Sequence, residues 1–188
     1  MNEWFEVVDE TGTVIGCARR AICHRTPALL HRVVHVIVMD VAGRFLLQKR
    51  SMRKDIQPGK WDMSVGGHVM PGERPEEAAR RETDEELGVT PSTLAFLYSY
   101  VWRSERESEL VTSFFCRHEG PFAHDPAEID ECRWWTCTEI EAQWNTGLFT
   151  PNFLEEYQRY NGARGNRDEN TMPGVASVLE PRSPARWD

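Results

Sequence analysis

Glu73, Glu82, Glu85 and Glu86 are the residues of this chain whose type and spacing most directly suggest chemistry. They lie in the run Glu73-Arg-Pro-Glu-Glu-Ala-Ala-Arg-Arg-Glu-Thr-Asp-Glu-Glu86. Like charge in a run is ordinarily a solvated helix face. Here Glu82 and Glu86 stand at i and i+4, with Glu85 between them, so on a helix their carboxylates stack and repel. They also crowd the C-terminal half of the expected helix, where the macrodipole disfavours anions. A divalent cation with hard oxygen ligands would offset that repulsion. Mg²⁺ or Mn²⁺ held there would bridge a diphosphate, neutralise phosphate charge and lower the pKa of an attacking water.

The flanking residues suit that task. The Gly66-Gly67 pair and the Pro71-Gly72 turn let backbone approach a phosphate or a metal, which makes Gly67 a candidate substrate contact. Pro75 suits the first turn of a helix and Gly88 its C-terminal stop. Arg81 is expected to orient Glu73 through a bidentate contact without touching substrate. Upstream, Trp4 to Val8 and Thr13 to Ala18 read as a hairpin, Val33 to Met39 as a buried central strand, and Arg44 to Lys49 as its neighbour. Trp61 to Val65 reads as a strand entering the glycine pair, with further strands at Leu94 to Trp102, Leu110 to Arg117 and Cys132 to Thr136. Short helices are expected from Thr138 and from Pro151 to about Tyr160. The pattern is α/β, a mixed sheet with helices packed on it, in one domain over 1–160. Residues 161–188 read as a poorly ordered tail in which Val175 to Leu179 could dock.

From Gly67 the chain runs Gly67-x5-Glu73-x7-Arg81-Glu82-Thr83-x-Glu85-Glu86-x-Gly88-Val89. This resembles the Nudix box, GX5EX7REUXEEXGU with U aliphatic, at every fixed letter. Thr83 is the one departure; its shape is close to that of Val, so a slightly altered helix–sheet contact is expected and no lost ligand. The resemblance implies an α/β/α Nudix sandwich that hydrolyses a diphosphate linked to another moiety. Glu73, Glu82, Glu85 and Glu86 would then be metal ligands, and a box glutamate or Glu109 would activate water. A catalytically silent Nudix-like module that binds a nucleotide remains the alternative from another class.

A second constellation comprises His24, His31, His68 and the pair Glu107-Ser-Glu109, whose carboxylates share one face of an extended chain. Taken singly, each His reads as a pocket or surface residue. Their order and spacing resemble type I isopentenyl-diphosphate isomerases, Nudix-fold enzymes that hold a metal with three His and two Glu. Leu30-His31, Phe45-Leu-Leu-Gln-Lys-Arg50 and Ser64-Val-Gly-Gly-His68 extend that resemblance from about residue 3 to residue 160. It implies either a second metal site or a metal-free lining of the substrate pocket. The isomerase places a catalytic Cys directly before its Gly-His, where this chain has Gly66, and a Trp where it reads Phe149-Thr150-Pro151-Asn152. A proton donor and a π face for a carbocation are therefore expected to be absent, which leaves hydrolysis as the first reading and isomerisation as an alternative.

The remaining residues bound the function more loosely. A formal net charge of −8 offers no general attraction for nucleic-acid phosphates. The apolar runs are strand-sized, so no membrane span is expected. The first twenty residues show no secretory signal. Cys17, Cys23, Cys116, Cys132 and Cys137 form no CxxC pair, which favours a reducing cytoplasm over a disulfide or zinc framework. The family resemblance also admits a homodimer. Lys49, Arg50, Arg53, Lys54 and Lys60 are the basic cluster, and Arg50 and Lys54 are the candidate phosphate contacts. Trp61 and Trp102 flank the expected catalytic edge, with core packing the first reading of both. His35 reads as a satisfied core histidine, and Glu128 and Glu131 as weak metal or base candidates.

Overall fold

The β-branched run expected as a central strand is longer than its apolar core. In the computed structural model, which describes residues 3–165, it spans Leu30–Met39 as β3, after the hairpin β1 (Trp4–Val8) and β2 (Val14–Arg19) and the single turn α1 (Arg20–Cys23). There follow β4 (Phe45–Arg50), β5 (Trp61–Asp62), β6 (Val65–His68), α2 (Pro75–Leu87), β7 (Ala95–Arg103), β8 (Ser108–Arg117), β9 (Ile129–Trp135), α3 (Cys137–Ala142) and α4 (Pro151–Gly165). The strands form one mixed sheet. β3 pairs antiparallel with β1, β4 and β6 on one side and parallel with β8 along its whole length on the other.

Alternation along β3 sorts the two faces. Val34, Val36 and Val38 pack with Ala78, Ala79 and Leu87 of α2. Ile37 and Met39 pack with Phe153, Tyr157 and Tyr160 of α4. The sheet thus lies between α2 and α4, the α/β/α sandwich expected from the motif. Trp134 and Trp135 divide in the same way, one packed against each core, and Trp61 belongs to the α4-side core.

Strand ends shift by one to three residues from the sequence reading, and three larger or more telling differences have a local cause. The strand expected over Trp61 to Val65 is split, because Met63 N–H bonds Asp62 and the Ser64 hydroxyl bonds Leu46 O and Val38 N–H, diverting backbone groups from a continuous ladder. Helix α4 runs on to Gly165 instead of ending near Tyr160. Glycine in a last turn costs only about 1 kcal/mol, and the preceding turns are anchored by buried Tyr157 and Tyr160. Residues 166–188, including Val175 to Leu179, lie outside the described residues. Helix α3 starts one residue early because Thr136 and Glu139 form a capping box. No helix among the described residues is long and apolar enough to cross a membrane, and all five cysteines are free.

Helix α2 keeps the expected limits, with Pro75 in its first turn and Gly88 in the left-handed conformation at its end. Thr83, fully buried, turns its hydroxyl onto Ala79 O at 2.6 Å, which leaves its methyl for the helix–sheet contact. That back-bond adds no partner the helix lacks, so Thr83→Val should change unfolding free energy by no more than about 1 kcal/mol. Denaturant unfolding checks this, and a larger loss would mean the hydroxyl has a structural role.

Candidate active site

The site forms where the C-terminal part of α2, the glycine pair of β6, the start of β8 and the first turn of α4 meet. A cleft of about 1050 Å³ opens there, lined by Glu82, Glu85 and Glu86, by His24 and His68, and by Glu107 and Glu109. Residues of both constellations thus face this one cleft, whereas Glu73 and the fully buried His31 do not line it.

Arg81 organises the carboxylates on the α2 side. Its Nε and Nη2 donate to the two oxygens of Glu73, each at 2.9 Å, which is the expected bidentate pair. Its Nη1 also donates to Glu82 at 2.7 Å and to exposed Glu85 at 3.2 Å, and Nη2 to His68 O. Glu73, Glu82 and Glu85 are therefore gathered by one guanidinium, which extends the expected Arg81–Glu73 pair to two further box carboxylates. Burial opposes ionisation of Glu73, but Arg81 prevails and holds its pKa below the ordinary carboxylate range. Burial raises Glu82 despite the same partner. Glu86 accepts from Gln48 Nε2 at 3.0 Å and from Gly66 N–H at 3.4 Å; burial, with the Glu82 charge beside it, pushes it up to about 8.

Gly67 serves a steric purpose that its spacing did not reveal. A Cβ there would lie 2.0 Å from Glu82 Cδ, so the glycine is what lets the Glu82 side chain cross β6.

The second constellation does converge. His24, His31 and His68 bring ring nitrogens within 4.8 Å of one another, and His31, Glu107 and Glu109 form an overlapping group at the same limit. The register places His31 opposite Glu109 across β3 and β8, and β6 carries His68 opposite Val33. Both ring nitrogens of His31 and Glu107 Oε2 are buried without a hydrogen-bond partner. Each such group costs about 1–3 kcal/mol unless something binds it, and neutral imidazoles with carboxylates are a fitting donor set for a divalent ion. Burial, reinforced by Arg20, pulls His24 down to about 4, and burial with neighbouring His24 does the same to His31. Burial pushes Glu109 up to about 7 with Glu107 beside it.

Several supporting residues escaped the sequence reading. Phe5 stacks against His31 and His68, with centroids 5.4 and 4.2 Å away, and fixes the ring planes. Asn152 Nδ2 donates to Glu109 at 3.2 Å. Gln48 and Asn152 lie in segments already singled out, but no local pattern marked them. Among the basic residues, Arg50 and Lys54 line the cleft, whereas Lys49, Arg53 and Lys60 do not. Arg50 is held by Asp62 and Ile56 O, and Lys54 is paired with Glu128. Arg20, Arg103 and Arg106 also reach the cleft and were not anticipated. Glu128 lies on the wall, while Glu131 is exposed and does not line it. Trp102 lines the cleft instead of serving only the core, so a π face is present after all, and Glu109 supplies a carboxyl that holds its proton near neutrality. The expected lack of both is corrected. What remains absent is a thiol, since no cysteine lines the cleft among the described residues.

Residues 29–157 match the sequence model of the NUDIX domain. The chain belongs to the Nudix family. It is similar to an uncharacterized Nudix hydrolase of Yersinia pestis, 39% identical over 81% of this chain and 82% of that protein. An isopentenyl-diphosphate Delta-isomerase of Streptomyces avermitilis is 50% identical over 79% of each chain. The crystal structure of DR0079 from Deinococcus radiodurans superposes with a TM-score of 0.74 at 26% identity, covering 84% of this chain and 98% of that one.

Two outcomes follow from this geometry of the Nudix box and its neighbours. Gly67→Ala should leave the fold intact, displace Glu82 and weaken Mn²⁺ affinity about tenfold or more, measured by calorimetry. Affinity unchanged from wild type would refute the steric role. Without metal, Glu109 and Glu86 stay protonated below about 7 and 8, while His24 and His31 are already neutral above about 4. Raising pH from 6.5 to 8.5 therefore removes only carboxyl protons that compete with a cation, and the rise in melting temperature caused by Mn²⁺ should grow across that window. A shift that is flat or falling would contradict this assignment.

Proposed function

We propose that this chain is a Mg²⁺- or Mn²⁺-dependent pyrophosphohydrolase that cleaves the diphosphate linkage of a nucleoside-diphosphate-type substrate. The observation that carries this reading is that the box carboxylates Glu82, Glu85 and Glu86 open, with His24, His68, Glu107 and Glu109, on one cleft large enough for such a molecule. Glu73, Glu82, Glu85 and Glu86 would hold one divalent ion, and His24, His31, His68, Glu107 and Glu109 a second. When bound, such ions neutralise phosphate charge and acidify water.

The chain's own residues do the rest. Arg81 keeps Glu73 in place and Gln48 orients Glu86. Arg50 and Lys54 meet the phosphates, and Gly67 gives them room beside Glu82. Trp102 offers a face for the rest of the substrate. A box carboxylate such as Glu86, or Glu109 on the strand, takes the proton of the attacking water. The reading places the enzyme in the cytoplasm with a small-molecule substrate and no nucleic-acid or membrane partner; a homodimer is compatible with it.

The 50% identical isomerase and the His/Glu group favour a second reading, isopentenyl-diphosphate isomerisation. Against it stands Gly66, which carries no thiol at the position the isomerase resemblance requires. Incubation with isopentenyl diphosphate should yield no dimethylallyl isomer; clear isomerisation would replace the first reading. A metal-supplemented screen of nucleoside diphosphates, nucleotide sugars, dinucleotides and prenyl diphosphates should release phosphate or a monophosphate from at least one. Phosphate release by wild type excludes a silent binding module. Glu85→Gln and Glu86→Gln should each cut turnover about a hundredfold or more at unchanged melting temperature, equivalent to about 3 kcal/mol of transition-state stabilisation. Turnover near wild type in both would overturn the ligand assignment.

A further inference from the structure

His35 is a buried, bonded histidine of the core, as its sequence suggests, and it also lines the cleft. It sits on β3 in the row His31, Val33, His35, on the α4 face of the sheet, and both Val33 and His35 line the cleft floor. Its Nδ1 lies 2.8 Å from Oε2 of Glu156, a carboxylate of α4 that is 1% exposed. That carboxylate also accepts from the hydroxyls of Tyr98 at 2.8 Å, Tyr100 at 2.8 Å and Ser113 at 3.0 Å. Four donors on one buried carboxylate keep it ionised and fix the proton on Nδ1 of His35.

The opposite edge of the ring is free to face the cleft. His35 is the register partner of Gly66, and a Cβ at Gly66 would stand 3.7 Å from both His35 Cδ2 and Met63 Sδ. With glycine there no β-carbon lies over that side of the ring, and His35, 4% exposed, lines the cleft. The Gly66 N–H meets Glu86 on the α2 side, while Glu109 and Asp62 act on His35 from β8 and β5. Burial works against a charge on His35, but bonded Glu156, with Glu109 and Asp62 adding, outweighs it and raises the pKa. The ring thus lines the same cleft as both groups, next to the strand residue that meets Glu86 and within electrostatic reach of Glu109.

We propose that His35 is a substrate-contacting residue, whose Nε2–H, held in place by the Glu156–Tyr98–Tyr100–Ser113 network, donates to a phosphoryl oxygen of the bound diphosphate. This rests on the pyrophosphohydrolase reading for its substrate class, but its test does not depend on turnover. The probe is methylenediphosphonate, a non-hydrolysable diphosphate, bound to Mg²⁺-loaded protein and followed by calorimetry. His35→Gln should weaken its binding about tenfold or more while Mg²⁺ affinity stays at the wild-type value. Glu156→Gln, which retains the shape of the network but not its charge, should weaken it in the same direction. In wild type, the His35 Nε2 nitrogen resonance should shift on saturation with the diphosphonate, a signature that a purely structural histidine would not give. Wild-type affinity in His35→Gln, or an unmoved resonance, would overturn the contact even if wild type hydrolyses diphosphates. Weakened binding and a moved resonance would uphold it even if no hydrolysis were found.

Discussion

Everything at this end of the sheet depends on the difficulty of holding several carboxylates together away from bulk water. Glu82, Glu86, Glu107 and Glu109 are each raised above the ordinary carboxylate range, with burial the leading cause in every case. Hydrogen bonds offset part of that cost, from Arg81 at Glu82, from Gln48 and Gly66 at Glu86 and from Asn152 at Glu109. On the α2 side Arg81 also supplies a positive charge, shared among Glu73, Glu82 and Glu85. On the β8 side no guanidinium pairs with Glu107 or Glu109 among the described residues; His24 Nδ1 lies 3.6 Å from Glu107 Oε2, and His31 and Glu107 carry buried atoms without hydrogen-bond partners. A fold that places such groups at the mouth of a cleft incurs a stability cost which a bound divalent ion would relieve.

The two sides of the sheet share this burden through β3 and β6. β6 carries Gly66 beside Glu86, Gly67 beneath Glu82 and His68 in the imidazole group, so a four-residue strand links both constellations. β3 contributes His31 to one of them and His35 to the floor between them. Helix α4 then ties the floor to the far layer through Glu156 and supports Glu109 through Asn152. Binding, positioning and packing are therefore hard to separate here, because the same short strands do all three.

Much of this was legible in the chain. The box gave helix α2 and its limits, since Pro75 and Gly88 act locally and the carboxylate spacing is a property of one helix. The His24, His31, His68, Glu107, Glu109 set could be named because its spacing matched a family pattern, and the register of β3 with β8 brings it together. What could not be read was set by contacts between distant segments. Glu156 lies far along the chain from His35, and nothing in the sequence of α4 marks a buried acid on its inner face. Phe5 looks like any apolar strand residue until three imidazoles are placed against it. The pairing of Arg81 with Glu82 and Glu85, beyond Glu73, and the steric demand on Gly67, depend on side-chain direction more than on spacing.

The central claim is that both constellations are cation sites serving one cleft. Anomalous diffraction from crystals soaked in Mn²⁺ tests it most directly. The account predicts one peak enclosed by His24, His31, His68, Glu107 and Glu109, and a second among Glu73, Glu82, Glu85 and Glu86, with Arg81 Nη1 withdrawn from Glu82. Crystals that bind Mn²⁺ at neither place, with Arg81 still bridging the box carboxylates, would contradict it.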